Sequence, residues 1–269
     1  MTTQTGRRVL VLALLLAGMI PAARADVRLA KIFSDNMMLQ RDQPIRFWGW
    51  AATNEALTVA LGDQKVSTTA DALGKWRVEL PARNKGENLT LTITGQNAIA
   101  VRNIIVGDIW LCSGQSNMEL FLAGSFGAER AMAEADYPRI RAFKVSHRSS
   151  DKPEEDLPAD GWKVCTPQTA AGAFTAVGFY FAREVSQRTG VPIGLLDDNW
   201  GGTAIEPWTP AEGVALVPGA SGLSSSWSGI YNGMIHPIIR FPIKGALWYQ
   251  GESNGAEGDS YALKMRALI

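Results

Sequence analysis

The apolar, β-branched run Asn103-Ile-Ile-Val-Gly-Asp-Ile-Trp-Leu-Cys112 passes without a break into Ser113-Gly-Gln-Ser-Asn-Met118. The run reads as a buried strand that ends at glycine. Met118, Leu120, Phe121 and Leu122 suit the start of a helix. A strand, a sharp turn and a helix in immediate succession belong to a covered sheet. Gly114 supplies the backbone angles that such a turn needs. Ser116 then stands at the carboxyl edge of the sheet with its own N–H at a helix N-terminus, where partial positive charge stabilises a developing oxyanion. On this segment alone two readings of Ser116 stay open, a nucleophile and a helix N-cap.

The rest of the chain sets the class. It has 269 residues, 46% hydrophobic and 19% charged, enough for one large or two modest globular domains. Residues 1–25 carry Arg7, Arg8 and Arg24 and no acid, which leaves 23 basic against 26 acidic residues beyond them. That balance excludes an extended nucleic-acid surface. Two histidines are too few for a histidine-rich metal site, and neither a His-Glu-x-x-His pattern nor a phosphate or dinucleotide loop occurs. Arg7-Arg8, the apolar stretch Val9–Ile20 and the Ala23-Arg-Ala25 cleavage pattern identify an export signal, too short for a membrane span. The expected location is periplasmic or extracellular. Such a compartment permits a disulfide between Cys112 and Cys165, with two free buried thiols as the alternative.

From Asp26 to about Arg102 the pattern is β. Pro44–Trp50, Leu57–Leu61, Trp76–Leu80 and Leu89–Thr94 are short strands separated by glycine and asparagine turns, as in a small antiparallel sandwich. Trp48, Trp50 and Trp76 read as packing, with a sugar-binding platform as the alternative. From Asn103 onward strands alternate with helical patterns, the mark of an α/β domain with a parallel sheet. Pro138–Val145, Val191–Trp200 and Lys244–Gln250 are its further strands, Ala176–Val185 is a helix closed by Gly190, and Tyr261–Ile269 begins another. Ser149–Asp160 and residues 218–229 read as loops.

Three strand ends thus carry small polar clusters: Gly114-Gln-Ser-Asn117, Asn199-Trp-Gly-Gly-Thr203 and Gln250-Gly-Glu-Ser-Asn254. In an open α/β sheet the carboxyl ends of the strands line the ligand crevice. A serine, glycine N–H groups and a side-chain amide converging there suit acyl transfer. Ser113–Met118, Trp200–Trp208 and Trp248–Asn254, together with Ile32–Gln40 and Tyr231–Pro237, closely resemble the sialate O-acetylesterase family, secreted carbohydrate esterases of the SGNH-hydrolase superfamily.

The resemblance implies an α/β fold, with a flavodoxin-like SGNH-hydrolase core built on a parallel sheet behind a small antiparallel β-sandwich domain. The expected division is an export signal over 1–25, the sandwich over 26–103 and the esterase domain over 104–269. By position Ser116 matches the family nucleophile. The oxyanion hole is expected from the N–H of Ser116, that of Gly201 or Gly202, and the amide of Gln250, with Asn254 as the alternative donor. The expected substrate is an O-acetylated sialic acid or a related acetylated sugar such as xylan, hydrolysed without a metal or organic cofactor. The family's general base and its acidic partner come from an Asp-x-x-His motif after the third cluster. This sequence has none before Ile269, so the domain reads as C-terminally incomplete and a non-catalytic sugar-binding fragment is the competing reading. His147 and His236 are expected in structural or surface roles.

Overall fold

Alternation of apolar and polar side chains drives the first part of the chain into short strands. The computed structural model describes residues 26–220 and 227–269. The export signal read over 1–25 lies outside them, as does part of the loop read over 218–229. The first eight strands are β1 (Arg28–Leu29), β2 (Met38–Gln40), β3 (Ile45–Trp50), β4 (Ala56–Leu61), β5 (Gln64–Thr69), β6 (Lys75–Leu80), β7 (Leu89–Thr94) and β8 (Ala98–Gly114). One antiparallel sheet has the order β1-β3-β6, and a second runs β5-β4-β7-β8. Every second residue of β4 and β6 is buried, and Phe47, Leu57, Val59, Leu61, Leu91 and Ile93 join one core. β5 escapes the sequence pattern because Gln64-Lys-Val-Ser-Thr-Thr69 has almost no apolar side chain to alternate. It is an edge strand paired only with β4.

The second part adds β9 (Tyr137–Val145), β10 (Ala159–Cys165), β11 (Ile193–Asn199) and β12 (Gly245–Tyr249). Its helices are α1 (Ser116–Glu119), α2 (Ala128–Ala133), α3 (Pro167–Ala173), α4 (Ala176–Thr189), α5 (Ala211–Val214) and α6 (Asp259–Leu268). Strand order is β10-β9-β11-β8-β12, parallel throughout except for β10, so the sheet is mixed and the fold is α/β. β10 begins inside the stretch read as a loop, with Ala159 opposite Val145, and its register shifts before Trp162 at a bulge that holds Gly161 (φ 83°). α4 matches its sequence signals: the Thr175 side chain caps its first turn and Gly190 (φ 69°) closes it in the left-handed region. Gly178 lets α4 approach the sheet closely, since a Cβ there would lie 3.1 Å from Cys112 Sγ and Leu195 Cδ1.

β8 joins the two parts. Its first half pairs antiparallel with β7, Ile105–Gly107 pairs parallel with β2, and Asp108–Gly114 lies between β11 and β12. The strand therefore runs unbroken through positions 103 and 104, where the composition changes. Asn103 (φ 56°) turns it, in a conformation that asparagine tolerates better than most residues. The buried guanidinium of Arg141 donates to the Asn103 carbonyl, to Asn103 Oδ1 (3.1 Å) and to the Asn36 carbonyl (2.9 Å). Asp108 receives a two-pronged bond from Arg41 at 2.8 and 2.9 Å and another from Gln40 at 3.2 Å.

One expectation is corrected by this topology, and one open alternative is decided. After Ser116 the chain makes a single helical turn rather than a helix through Leu122, because the next residues leave to pair with the start of α4. Ala176 N–H donates to the Leu120 carbonyl, Leu122 N–H to that of Phe174, and Phe121 bridges Thr175. The thiols of Cys112 and Cys165 are free and buried. They sit on β8 and β10 with β9 and β11 between them. Three strand spacings of about 4.8 Å put them far beyond disulfide reach. Burial pushes the Cys165 thiol up to about 12 and that of Cys112 higher still.

Candidate active site

Register alone brings the three polar clusters to one level. Gly114 at the end of β8 lies opposite Asn199 of β11 on one side and Tyr249 of β12 on the other. Trp200 N–H donates to the Gly114 carbonyl (3.0 Å) and Gln115 N–H to the Tyr249 carbonyl (2.9 Å). Gly114 (φ 136°) is required twice, by its backbone angle and because a Cβ there would fall 2.1 Å from the Tyr249 oxygen. The turn lifts Ser116 out of the sheet into solvent.

Ser116 is the first residue of α1; the cap position belongs to Gln115. The N-cap reading of Ser116 is thereby removed. Among the described residues neither its Oγ nor its N–H has a partner. Since α1 is one turn long, any anion stabilisation here comes from individual N–H groups and not from a long helix dipole.

The second cluster presses against this serine. A Cβ on Gly201 would lie 3.6 Å from Ser116 Cβ and 2.7 Å from Glu119 Oε2. Gly201 N–H is already given to Glu119 Oε2 at 2.5 Å. Gly202 (φ 76°) is exposed, and its N–H has no acceptor among the described residues. Of the two glycines expected as oxyanion donors, Gly202 has the free N–H.

Gln250 and Asn254 differ from expectation. Gln250 Nε2 lies 3.1 Å from Gln115 Oε1, 3.2 Å from the Thr203 carbonyl and 2.7 Å from Asn254 Oδ1, while its Oε1 accepts from Tyr261 at 2.7 Å. Its amide hydrogens are thus taken by neighbours, and Gln250 ties all three strand ends to α6. Asn254 is 4% exposed. It accepts from Ile205 N–H (2.9 Å) and donates to Glu206 (3.1 Å) and Glu257 (2.9 Å), leaving no free donor. Both amides are the frame of the site in this structure.

A further polar chain lies beside Ser116. His147 Nε2 is 2.9 Å from Glu119 Oε1 and 3.0 Å from the Asn199 carbonyl, and its ring stacks on Trp200 at 4.5 Å. With Nε2 facing two acceptors, Nδ1 is the nitrogen left to take a proton. His147 therefore belongs to the site's surroundings and is not a loop residue apart from it. His236 is elsewhere: its Nδ1 bonds the Glu154 carbonyl (2.7 Å), and it lines a groove of about 220 Å³ with Trp48 and Trp50. Trp48 and Trp76 are buried, and the Arg28 guanidinium lies 3.9 Å over the Trp50 ring, so packing accounts for these tryptophans.

Below the strand ends, Lys144 donates to Asn199 Oδ1 (2.7 Å) and pairs with Asp197 (3.4 Å). Burial pushes Asp197 up to about 6 against the pull of Lys144 and of hydrogen bonds from Asn199 and Lys144. Asp198 is fully buried, and neither carboxyl oxygen has a partner among the described residues. Burial and then the charge of Asp197 push it to about 8. Glu119, Lys144, Asp197 and Asp198 carry no motif. Only the three-residue spacing of Ser116 and Glu119, one helical turn, offered a signal for any of them.

Residues 106–269 match the family described as carbohydrate esterase, sialic acid-specific acetylesterase. The sialate O-acetylesterases of Homo sapiens and Pongo abelii are 31% identical over 293 residues, which take in 97% of this chain and 56% of each relative. The chain spans about half the length of the curated relatives it matches. Among solved structures, a carbohydrate acetylesterase from Xanthomonas citri is 40% identical, with a TM-score of 0.83 over 90% of this chain and 55% of that one.

Proposed function

Since the chain belongs to the sialic acid-specific acetylesterase family of carbohydrate esterases, we propose that it hydrolyses O-acetyl esters of sugars with Ser116 as nucleophile. Sialic acids and other acetylated sugars both fall within that class. Ser116 Oγ attacks the acetyl carbonyl, the oxyanion is held by the N–H groups of Ser116 and Gly202, and the sugar oxygen leaves with a proton. Water then releases acetate from the acetyl-serine. Glu119 fixes the glycine turn by accepting from Gly201, and Gln250 holds the strand ends in place. The export signal read over 1–25 puts the reaction outside the cytoplasm. The observation that carries this reading is an exposed serine whose hydroxyl and N–H have no partner among the described residues, set against Gly201 at the level of three strand ends.

The test is Ser116→Ala assayed on 4-nitrophenyl acetate and on an acetylated sugar. In serine hydrolases such as subtilisin, loss of the triad nucleophile costs on the order of 10⁶ in kcat, so activity should vanish while thermal unfolding is unchanged. Activity within a few-fold of the parent removes Ser116 from the mechanism. His147→Ala in the same assay identifies the base: a loss as deep as that of Ser116→Ala makes it His147, and a retained rate assigns the base to another group.

A further inference from the structure

The turn that carries the Gly202 N–H has no side chains of its own at 201 and 202, and glycine backbone is costly to order. Its neighbours hold it. Trp200 N–H donates to the Gly114 carbonyl (3.0 Å), Thr203 Oγ1 to the Trp200 carbonyl (2.7 Å), and Gly201 N–H to Glu119 Oε2. His147, from the segment after β9, grips two of these supports at once. Its ring lies parallel to that of Trp200 (4.5 Å, 5°), and its Nε2 is 2.9 Å from Glu119 Oε1 and 3.0 Å from the Asn199 carbonyl. The backbone around His147 is itself anchored. Ser146 N–H donates to the Pro158 carbonyl (3.0 Å), and the Arg148 carbonyl packs so closely on Gly233 that a Cβ there would fall 2.3 Å from it.

We propose that His147 is a positioning residue for the oxyanion turn, acting through Glu119 and Trp200, and not the proton acceptor for Ser116. The proposal rests on the esterase reading above and gives His147 a role that reading leaves open. The Nε2 hydrogen, shared between Glu119 and the Asn199 carbonyl, keeps the Glu119 carboxylate aimed at Gly201. The stacked ring keeps Trp200, the residue before the turn, from rotating. Each such contact is worth only about 1 kcal/mol, but a donor displaced by a fraction of an ångström loses much of its effect on the reaction. The Gly202 N–H meets negative charge only after Ser116 has attacked, so the consequence falls on kcat and not on KM.

The test pairs His147→Ala with His147→Gln, whose side-chain amide places an N–H donor near the position of Nε2 but cannot act as a base. On 4-nitrophenyl acetate, His147→Ala should lower kcat about 10–100-fold with KM changed less than about twofold, between the loss of one hydrogen bond and that of a whole oxyanion donor. His147→Gln should recover kcat to within about threefold of the parent, since the donor to Glu119 is restored. Hydrogen exchange at the Gly201 amide, read by NMR on protein made with nitrogen-labelled glycine, follows the turn without turnover. It should quicken about tenfold in His147→Ala and return towards the parent in His147→Gln. A kcat in His147→Ala as low as that of Ser116→Ala, a glutamine variant no better than the alanine one, or unchanged Gly201 exchange in His147→Ala overturns the proposal. Should His147→Ala not fold, the glutamine variant decides alone, and a kcat more than about tenfold below the parent overturns the proposal. A parent protein without 4-nitrophenyl acetate hydrolysis counts instead against the esterase reading, and Gly201 exchange still decides the role of His147.

Discussion

Asp108 and Asp198 are carboxylates buried on adjacent strands of one sheet, and the fold treats them in opposite ways. Asp108 sits where the two parts of the molecule meet. Burial pushes its carboxyl up, but hydrogen bonds from Arg41 and Gln40 and the Arg41 charge outweigh that and hold it below the usual range. Asp198, one residue before the end of β11, has no partner among the described residues and is held protonated at neutral pH. The joint is fully satisfied, as buried charges must be to avoid a large desolvation cost. Beneath the candidate site the structure instead tolerates that cost. Stability is thus concentrated at the joint, and the site is carried on the less satisfied end of the same sheet.

The most direct way to break that contrast is to separate the strand ends. Gly114→Ala should lose about 4 kcal/mol, combining roughly 1–3 for a strained φ with a similar amount for overpacking against the Tyr249 carbonyl. Urea unfolding measures it, and esterase activity should fall with it. A substitution costing under about 1 kcal/mol, less than strain alone predicts, would mean that β12 moves freely.

At the joint, Arg41→Met should cost about 3 kcal/mol at pH 7, because it strands the Asp108 charge. Asp108 has a lowered folded-state pKa. Its contribution is therefore present above the ordinary carboxylate range and lost as pH falls through the folded value. The difference between parent and Arg41→Met should shrink as pH falls below the ordinary carboxylate range, and urea midpoints at pH 7 and in acid decide it.

Asp198 has the opposite sign. The folded state keeps a proton that the unfolded chain releases above about pH 4, so this carboxyl lowers stability progressively from about pH 4 to about pH 8. Asp198→Asn should match the parent near pH 4 and exceed it by a margin that grows up to about pH 8. Thermal unfolding across that range showing parallel curves would mean that the carboxyl is already paired.

The smallest effect is expected at the tie between the strand ends. Gln250→Ala should cost about 1–2 kcal/mol of stability from lost hydrogen bonds and about tenfold in kcat. A loss of roughly 10²–10³ in kcat with unchanged thermal stability would restore Gln250 as an oxyanion donor.

How much was legible depended on whether the physics was local. β3, β4, β6 and β7 could be read because alternation follows directly from a half-buried strand. α4 could be read because Thr175 and Gly190 mark its ends. β5 and β10 carry no such pattern: one is polar on both faces, and the other starts among acids and prolines and shifts register at a bulge that holds a glycine. Ser116 is legible through its strand-glycine-serine context. The pairing of Glu119 with His147 is not, because their meeting depends on how the segment after β9 folds back over β11.

By itself, then, the sequence determined that strands precede an alternating α/β segment, that three polar clusters end three strands, and that Ser116 stands at the turn. Those features follow from side-chain period and from glycine's backbone freedom, which act over a few residues. Tertiary structure decided which polar groups are free. Gly201, Gln250 and Asn254 have the chemistry of oxyanion donors, but their hydrogens are taken by Glu119, Gln115, Thr203, Glu206 and Glu257. Whether a donor is spent depends on acceptors brought near by sheet register, and no local pattern carries that information.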